Sequence, residues 1–274
     1  METINQEIAL KGHDGAEIHA FLSQPRNSRA DTPAVIVIHE IWGLNNQIRQ
    51  VAIRYAGAGF IALAPNLFSR DSSLLTEDNI ERVMRKLWSV PQAKRSDPSV
   101  LAELNKGMDD QERRTLDLLY FNRQKLNENM VKDVGVLREA LVRGAGTPAV
   151  EEKRIGITGF CMGGGISFQA ATVFPFRATA VFYGMNPTPV DSVEHISGDV
   201  LALYAGEDQA VNAGVPAVVE AMFKYGKNFE MKIYKGAQHA FFNEERPSYN
   251  REAAEDAWAR VVGFFRKSLA GVVS

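Results

Sequence analysis

The sequence predicts an α/β protein with one open, mostly parallel sheet and helices on both faces. Short aliphatic runs such as Ala34–Ile38 are typical of strands that are covered on both faces. These runs alternate with helical patterns over most of the 274 residues, and 45% hydrophobic composition is enough for a sizeable core. Because ligands of such sheets bind at the carboxyl ends of strands, we expect functional residues directly after strands.

The first predicted elements form an antiparallel hairpin. Ile8–Leu10 and Glu17–Leu22 flank the dipeptide Asp14-Gly15, which tolerates the positive φ that a tight turn needs.

A βαβ unit follows the hairpin. Strand Ala34–Ile38 leads into a helix from about Asn46 to Ala58, which has apolar residues at helical spacing. Phe60–Ala64 is the next buried strand, and Pro65 ends it.

A helical excursion over one edge of the sheet is predicted at about residues 66–150. Apolar spacing indicates helices at Asp78–Trp88, Ser99–Lys106 and Met108–Val142. We interpret Val90–Pro98 as a connecting loop and the charged run Asp109–Arg114 as a solvated helix face.

Strands and helices alternate again after residue 150. The remaining predicted strands are Arg154–Thr158, Ala178–Tyr183, Val200–Tyr204 and Phe229–Tyr234, and the remaining helices are Gly163–Val173, Val215–Lys224 and Asn250–Leu269. No repeat or linker interrupts the chain, so we interpret residues 1–274 as a single domain.

Composition and charge narrow the function classes. With 31 basic and 33 acidic side chains, the net charge is −2, which disfavours nucleic acid or a membrane surface as partner. No apolar run is long enough for a signal peptide or a membrane span, so we expect a cytoplasmic protein. The single cysteine excludes an internal disulfide and a Cys-rich zinc site, and no metal or other cofactor is expected.

The segment Gly159–Gly163 reads Gly-Phe-Cys-Met-Gly between a predicted strand and a predicted helix. This Gly-x-Cys-x-Gly spacing is that of a nucleophile elbow, a strained turn that exposes its central residue. The Met162 N–H can stabilise an oxyanion there, and the helix dipole favours a thiolate. The absence of GxGxxG argues against a nucleotide loop. We interpret Cys161 as a nucleophile; the alternative is an inert, small apolar residue.

A nucleophile of this kind needs a histidine base later in the chain. His239 follows the strand Phe229–Tyr234 and is the candidate. His195 lies in a polar loop before a strand, and we expect it at the surface.

The acid that orients the base is expected between the nucleophile and the histidine. Asp208 directly follows the strand Val200–Tyr204, and we favour it over its neighbour Glu207, which we interpret as a solvated loop charge.

With these assignments, the sequence resembles the dienelactone hydrolase family, which uses a cysteine nucleophile on the α/β-hydrolase fold. Four ordered motifs carry the resemblance over most of the chain. They are His39–Asn45 (HEIWGLN), Gly159–Gly164 (GFCMGG), Gly206–Asp208 (GED) and Gly236–His239 (GAQH). The resemblance implies a carboxylic ester hydrolase of the carboxymethylenebutenolidase type, with a small-molecule ester or lactone as substrate.

The resemblance also implies roles for six residues. Cys161 is the nucleophile, His239 the base and Asp208 the residue that orients it. Glu40 accepts a hydrogen bond from the resting thiol and moves away when substrate arrives. The backbone N–H groups of Ile41 and Met162 form the oxyanion hole.

The resemblance is weakest in the substrate pocket. Family members that act on dienelactone hold its carboxylate with two arginines, and the corresponding residues here are Glu81 and Asn243. Arg82, Arg85 and Arg246 are alternatives, or else surface charges. The candidate pocket residues are Trp42, Arg85, Trp88, Tyr183, Ala240 and Asn243. The substrate is therefore expected to be less acidic than dienelactone.

Two other functions remain open at this point. One is a general carboxylesterase or thioesterase of the same mechanism. The other is a non-catalytic protein that uses Cys161 as a redox sensor on this fold. The oligomeric state is left as monomer or homodimer.

Overall fold

A computed structural model of the protein describes residues 1–91, 94–95 and 97–270, and its strands form one sheet. The strands are β1 (Thr3–Lys11), β2 (Glu17–Pro25), β3 (Ala34–Ile38), β4 (Ile61–Pro65), β5 (Ile155–Phe160), β6 (Ala178–Phe182), β7 (Asp199–Ala205) and β8 (Phe229–Tyr234). Their order across the sheet is β1-β2-β4-β3-β5-β6-β7-β8. The hairpin β1-β2 is antiparallel, β2 pairs antiparallel with β4, and the other pairs are parallel.

The helices connect these strands. They are α1 (Asn46–Gly57), α2 (Glu77–Trp88), α3 (Pro98–Lys106), α4 (Asp110–Leu116), α5 (Arg123–Val142), α6 (Met162–Ala171), α7 (Gln209–Asn212), α8 (Val215–Lys224) and α9 (Arg251–Leu269). The residues of β3, β4, β5 and β6 are all buried, as expected for strands covered on both faces. The predicted architecture, one open and mostly parallel sheet with helices on both faces, is confirmed.

The start of α1 shows how the sequence sets the element ends. The Asn45 side chain accepts a hydrogen bond from the Ile48 N–H at 3.3 Å and so caps the first turn. Because α1 begins only eight residues after β3, the intervening loop, which carries Glu40 and Ile41, stays at the carboxyl end of that strand.

The helical excursion differs from the prediction in two ways. The segment Met108–Val142 is helical as predicted but divided, because a π-helical turn at Asp117–Phe121 separates α4 from α5, and the Asn122 N–H bonds to the Asp117 carbonyl at 2.7 Å. The interpretation of Asp109–Arg114 as a solvated helix face holds for five of its six residues, but Glu112 is only 4% exposed. Part of the predicted loop Val90–Pro98, residues 92, 93 and 96, lies outside the described residues, as do residues 271–274 of the predicted domain.

Glu112 is buried because it serves the start of its own helix. Its carboxylate accepts from the Asp109 N–H at 2.9 Å, while Asp109 accepts from the Glu112 N–H, which is a capping box. Lys86 on α2 pairs with the same carboxylate at 2.6 Å. The ion pair between Lys86 and Glu112 therefore links α2 to α4.

Candidate active site

Cys161 lies at a sharp turn between β5 and α6, with φ 55° and ψ −116°. The turn fits because the residues two positions before and two positions after Cys161, Gly159 and Gly163, have no side chain. A Cβ on Gly159 would lie 2.1 Å from the Gly163 carbonyl oxygen, and a Cβ on Gly163 would lie 2.4 Å from the His39 carbonyl oxygen. The predicted Gly-x-Cys-x-Gly turn therefore has the backbone of a nucleophile elbow.

Residues with an unusual backbone conformation cluster around Cys161 and His239. Among the described residues, the non-glycine residues with positive φ are Cys161, Tyr183 (φ 38°) and Ala240 (φ 64°). They follow β5, β6 and the candidate base His239, respectively. Such conformations persist only where surrounding structure imposes them, and they cluster at functional sites.

Asp208 and His239 are brought together by the loops after β7 and β8. The His239 Nδ1 contacts the Asp208 carboxylate, whose side chain also accepts from the Val211 N–H at 3.3 Å at the start of α7. Asp208 is 8% exposed, whereas the His239 side chain is 41% exposed. The contact at Nδ1 leaves Nε2 of His239 for another partner.

Cys161 lies close enough to His239 to affect its pKa. Desolvation by burial lowers the pKa of His239, but its interactions with Cys161 and with the Asp208 carboxylate outweigh that effect and raise the pKa to about 10. The raised pKa marks His239 as a candidate for an acid–base role beside Cys161. Glu207 instead accepts from the Gly236 N–H at 3.2 Å, and His195 is exposed.

Glu40 follows β3 and is only 3% exposed. Its Oε1 accepts a hydrogen bond from the Tyr183 hydroxyl at 3.1 Å, and its Oε2 accepts one from Asn243 Nδ2 at 2.5 Å. Burial raises the pKa of Glu40, and these two hydrogen bonds offset part of that rise. Within the part of the chain that the structure describes, Cys161 makes no hydrogen bond to Glu40, so the predicted thiol–carboxylate contact stays a prediction.

Tyr183, predicted to line an apolar pocket, and Asn243, a candidate pocket residue at an expected arginine position, both contact Glu40. Tyr183 is fully buried, and burial beside Glu40 raises the pKa of its hydroxyl well above the usual value, so it remains a donor. Asn243 is 1% exposed. The Tyr183 hydroxyl and the Asn243 amide each donate to a different oxygen of the Glu40 carboxylate.

The two backbone N–H groups predicted to form the oxyanion hole, those of Ile41 and Met162, are not engaged elsewhere in the described part of the chain. Met162 is the first residue of α6, so its N–H has no partner within the helix. In residues 1–91, 94–95 and 97–270, neither the Ile41 N–H nor the Met162 N–H donates a hydrogen bond. Two backbone donors are thus available beside Cys161.

The peptide that carries the Ile41 N–H is fixed by His39, whose role the sequence analysis missed. His39 is fully buried, its Nε2 accepts from the Leu67 N–H at 3.1 Å, and its Nδ1 lies 2.6 Å from the Glu40 carbonyl oxygen. Because Nε2 is the acceptor, Nδ1 must carry the proton and donate to Glu40. Burial lowers the pKa of His39 to about 4, so the ring is neutral at pH 7.

In a trans peptide, the carbonyl and the following N–H point in opposite directions. By holding the Glu40 carbonyl, His39 therefore sets the direction of the Ile41 N–H. A histidine directly before a strand-end carboxylate was the only sequence signal for this role.

Trp42, in the loop after β3, contacts a second aromatic ring and a charged side chain. The Arg246 guanidinium stacks 3.9 Å from the centre of the Trp42 ring, and it pairs with Glu77 at 3.2 Å and Glu81 at 3.6 Å. Trp88 packs edge-on against Trp42, with ring centres 5.8 Å apart, and is 53% exposed. We call Trp42, Glu77, Glu81, Trp88 and Arg246 the Trp42 cluster.

Two other candidate residues lie apart from these contacts. Arg85 is exposed, and among the described residues its side chain makes no hydrogen bond or ion pair. Ala240 is half-buried, and its positive φ turns the chain directly after His239.

The described residues contain no group of three or more His, Cys, Asp or Glu side chains that could hold a metal ion. None of their helices is long and apolar enough to span a membrane.

Comparison with known proteins identifies the family. The dienelactone hydrolase family profile matches residues 18–269. A protein of Saccharolobus solfataricus named "Putative carboxymethylenebutenolidase" is 48% identical over 254 residues, 93% of this chain and 95% of that protein.

Solved structures share the fold. The dienelactone hydrolase of Anabaena variabilis has a TM-score of 0.60 and 18% identity over 97% of this chain and 99% of its own. P91, a dienelactone hydrolase-like promiscuous phosphotriesterase from metagenomic libraries, has a TM-score of 0.68 and 19% identity over 97% and 98% of the two chains. The predicted resemblance is confirmed, and the chain belongs to the dienelactone hydrolase family.

Proposed function

We propose that this protein hydrolyses an ester or lactone through a Cys161–His239–Asp208 triad. The observation that carries the proposal is the placement of Cys161 on a strained turn beside a histidine whose other nitrogen contacts a buried aspartate. This is the arrangement that nucleophilic acyl transfer needs, because the base must be oriented and the nucleophile ionised.

Acylation begins when the Cys161 thiolate attacks the carbonyl carbon of the substrate. The electron pair of the carbonyl moves to oxygen, and the Ile41 and Met162 N–H groups stabilise that oxyanion. When the tetrahedral intermediate collapses, the C–O bond to the leaving group breaks and the His239 imidazolium protonates the leaving alkoxide. The product is a thioester on Cys161; a lactone leaves its alcohol tethered to the acyl group.

Deacylation uses the now neutral His239. It takes a proton from water, and the resulting hydroxide attacks the thioester carbonyl. Collapse expels the Cys161 thiolate and releases the carboxylic acid, which loses its proton to solvent. The imidazolium–thiolate pair is then restored.

Glu40 supports this cycle from a fixed position. Its two hydrogen bonds to Tyr183 and Asn243 hold it away from the thiol, which leaves Cys161 paired with His239. This arrangement favours attack of Cys161 on the substrate carbonyl, because the thiol group is paired with the base and not with Glu40. The thiol-bound arrangement that the family resemblance implies requires Glu40 to leave at least one of these donors.

The Trp42 cluster supports an uncharged acyl group over a carboxylate-bearing one. Arg246 is the cation of that cluster, and its pairs with Glu77 and Glu81 leave no net positive charge there. Asn243, at the other position where dienelactone-binding relatives have arginine, is committed to Glu40. We therefore place neutral esters and lactones first among the substrates, which includes general carboxylesterase activity.

The test compares wild type, Cys161→Ala and His239→Gln on short p-nitrophenyl esters and a neutral enol lactone. We expect turnover in wild type only. After incubation with the ester, His239→Gln should gain a mass equal to the acyl group, since it cannot deacylate and the thioester is trapped. Because Cys161 is the chain's single cysteine, iodoacetamide offers a second check, as it alkylates no other thiol. Equal rates in wild type and Cys161→Ala would overturn the proposal.

A further inference from the structure

The strand β8 forms an open edge of the sheet. Its residues Glu230–Ile233 are all exposed, including Met231 at 39% and Ile233 at 46%. The opposite edge strand, β1, also contacts α1 and α5, whereas β8 packs extensively against β7 alone. Exposed edge strands are templates for pairing with another strand.

The register of β8 shows which of its backbone groups face outward. The Val200 N–H donates to the Asn228 carbonyl at 2.9 Å, and the Gly206 N–H donates to the Tyr234 carbonyl at 2.8 Å. Asn228 and Tyr234 therefore turn their backbone groups toward β7, as do the residues at the alternate positions between them. The N–H and C=O groups of Phe229, Met231 and Ile233 point to the open edge.

The sequence of this strand is complementary to itself. In an antiparallel pair with a two-fold axis at Met231, Phe229 lies opposite Ile233 of the second copy, and Glu230 lies opposite its Lys232. We propose that β8 pairs in this way with β8 of a second copy of the chain, so that two sheets become one continuous sheet.

Hydrogen-bond geometry agrees with this axis. The outward residues Phe229, Met231 and Ile233 meet one another in pairs that exchange two N–H···O bonds each. Glu230 and Lys232 then fall in the non-hydrogen-bonded pairs, where the Cα atoms lie about 4.5 Å apart and side chains approach most closely. Both Glu230–Lys232 pairs lie on the same face of the joined sheet, where opposite charges stabilise the pairing.

Charge also specifies the register. Moving the axis by one residue places either Glu230 opposite Glu230 or Lys232 opposite Lys232, and like charges directly opposite are destabilising. A strand of another protein would have to reproduce the same alternation of an acid and a base. A second copy supplies it by symmetry, so we commit to the homodimer.

The experiment is sedimentation velocity at low ionic strength, from about 1 µM to about 1 mM protein. We expect wild type to dimerise. Glu230→Lys makes both charge pairs Lys–Lys, and Lys232→Glu makes both Glu–Glu, so each variant should raise the dimer Kd at least about tenfold. The double swap E230K/K232E restores opposite charges and should restore the wild-type Kd.

An equimolar mixture of the two single variants gives the sharpest readout. A chain with Lys at both positions pairs with a chain with Glu at both, so the mixture should form a heterodimer while each variant alone is weakened. Glu128→Lys is the matched control, since it makes the same charge change at an exposed position on α5 and should leave the Kd unchanged.

Three results would overturn this inference. They are a monomeric wild type over the whole concentration range, a dimer whose Kd is unaffected by either single variant, and single variants that do not rescue each other when mixed. Circular dichroism shows whether each variant is folded, and because the strand edge contains none of the proposed catalytic residues, the result does not depend on the proposed function.

Discussion

Asn243 donates a hydrogen bond from its Nδ2 to the Oε2 of Glu40 at 2.5 Å, and both side chains are buried. The two residues are 203 positions apart in the chain, so the contact ties the loop after His239 to the loop after β3. In dienelactone-binding relatives, the family resemblance implies an arginine at the Asn243 position that holds the substrate. Here the side chain holds a carboxylate of the protein itself.

Asn243→Leu should destabilise the protein by about 1–3 kcal/mol, because it leaves Oε2 of a buried carboxyl without a donor. Urea unfolding measures the loss. Asn46→Leu is the matched control, since the Asn46 side chain donates to Glu245 at 2.9 Å between exposed groups, and its loss should cost less than about 0.5 kcal/mol. Equal losses in the two variants would contradict a special role for the Asn243–Glu40 contact.

The order of the candidate site residues along the chain could be predicted, but the contacts of Glu40 could not. Cys161, Asp208 and His239 each follow a strand, and parallel strands end at one edge of a sheet. The hydrogen bonds of Tyr183 and Asn243 to Glu40 depend instead on backbone conformation, because Tyr183 is turned inward by its positive φ. No local sequence pattern encodes that turn in a tyrosine.

The break between α4 and α5 was equally hidden. No glycine or proline occurs between Asp110 and Arg123, and apolar residues continue through the π-helical turn. Periodicity therefore indicates no break in the helical segment. The burial of Glu112 was missed for a related reason, since a charged residue in a charged run is assigned to solvent unless its cap partner and Lys86 are known to lie beside it.

Replacing Glu77 and Glu81 by glutamine should shift specificity toward carboxylate-bearing substrates. The double variant leaves Arg246 as an unpaired cation against Trp42, near enough to Glu40 to lower its pKa. We expect the kcat/KM ratio of a p-nitrophenyl hemisuccinate over p-nitrophenyl butyrate to rise about threefold to tenfold. The two esters have acyl chains of equal length and differ in charge.

Glu255→Gln controls for this change of charge, because Glu255 pairs with Arg251 at the exposed start of α9. It should leave the hemisuccinate-to-butyrate ratio as in wild type. An unchanged ratio in the Glu77/Glu81 variant would show that Arg246 does not face the acyl group.

His39→Leu should lower kcat about tenfold to a hundredfold with little change in KM, because the Ile41 N–H acts on the oxyanion and loses its fixed direction. His39→Asn retains an amide donor near the Nδ1 position and should recover part of the loss. Steady-state kinetics on one ester tests both variants. A rise in KM without loss of kcat would contradict the positioning role.

His39 should also make the protein less stable in acid. The unfolded chain binds a proton at His39 below about pH 6.5, whereas the folded chain does so only below about pH 4. Between these values the unfolded state binds more protons, so the free energy of unfolding falls as the pH falls. The fall attributable to His39 is about 3 kcal/mol in total, and it should be missing from His39→Leu when urea unfolding is followed from pH 7 to pH 4. Parallel curves for the two proteins would contradict a buried, neutral His39.

Gly163→Ala should be strongly destabilising, because the added Cβ would lie 2.4 Å from the His39 carbonyl oxygen and 2.6 Å from the Ile38 carbonyl oxygen. Backbone atoms of β3 and the Cys161 turn would have to separate, which costs about 1–3 kcal/mol and moves Cys161 away from the Ile41 N–H. Gly263→Ala is the control, since a Cβ there meets nothing within 4 Å in α9 and should stabilise the helix by about 1 kcal/mol. The midpoint temperature of thermal unfolding should therefore fall in Gly163→Ala and rise in Gly263→Ala, although the two substitutions are chemically identical. Only Gly163→Ala should lose ester hydrolysis. Full activity in Gly163→Ala would show that the close approach of the two chain segments is not needed for the reaction.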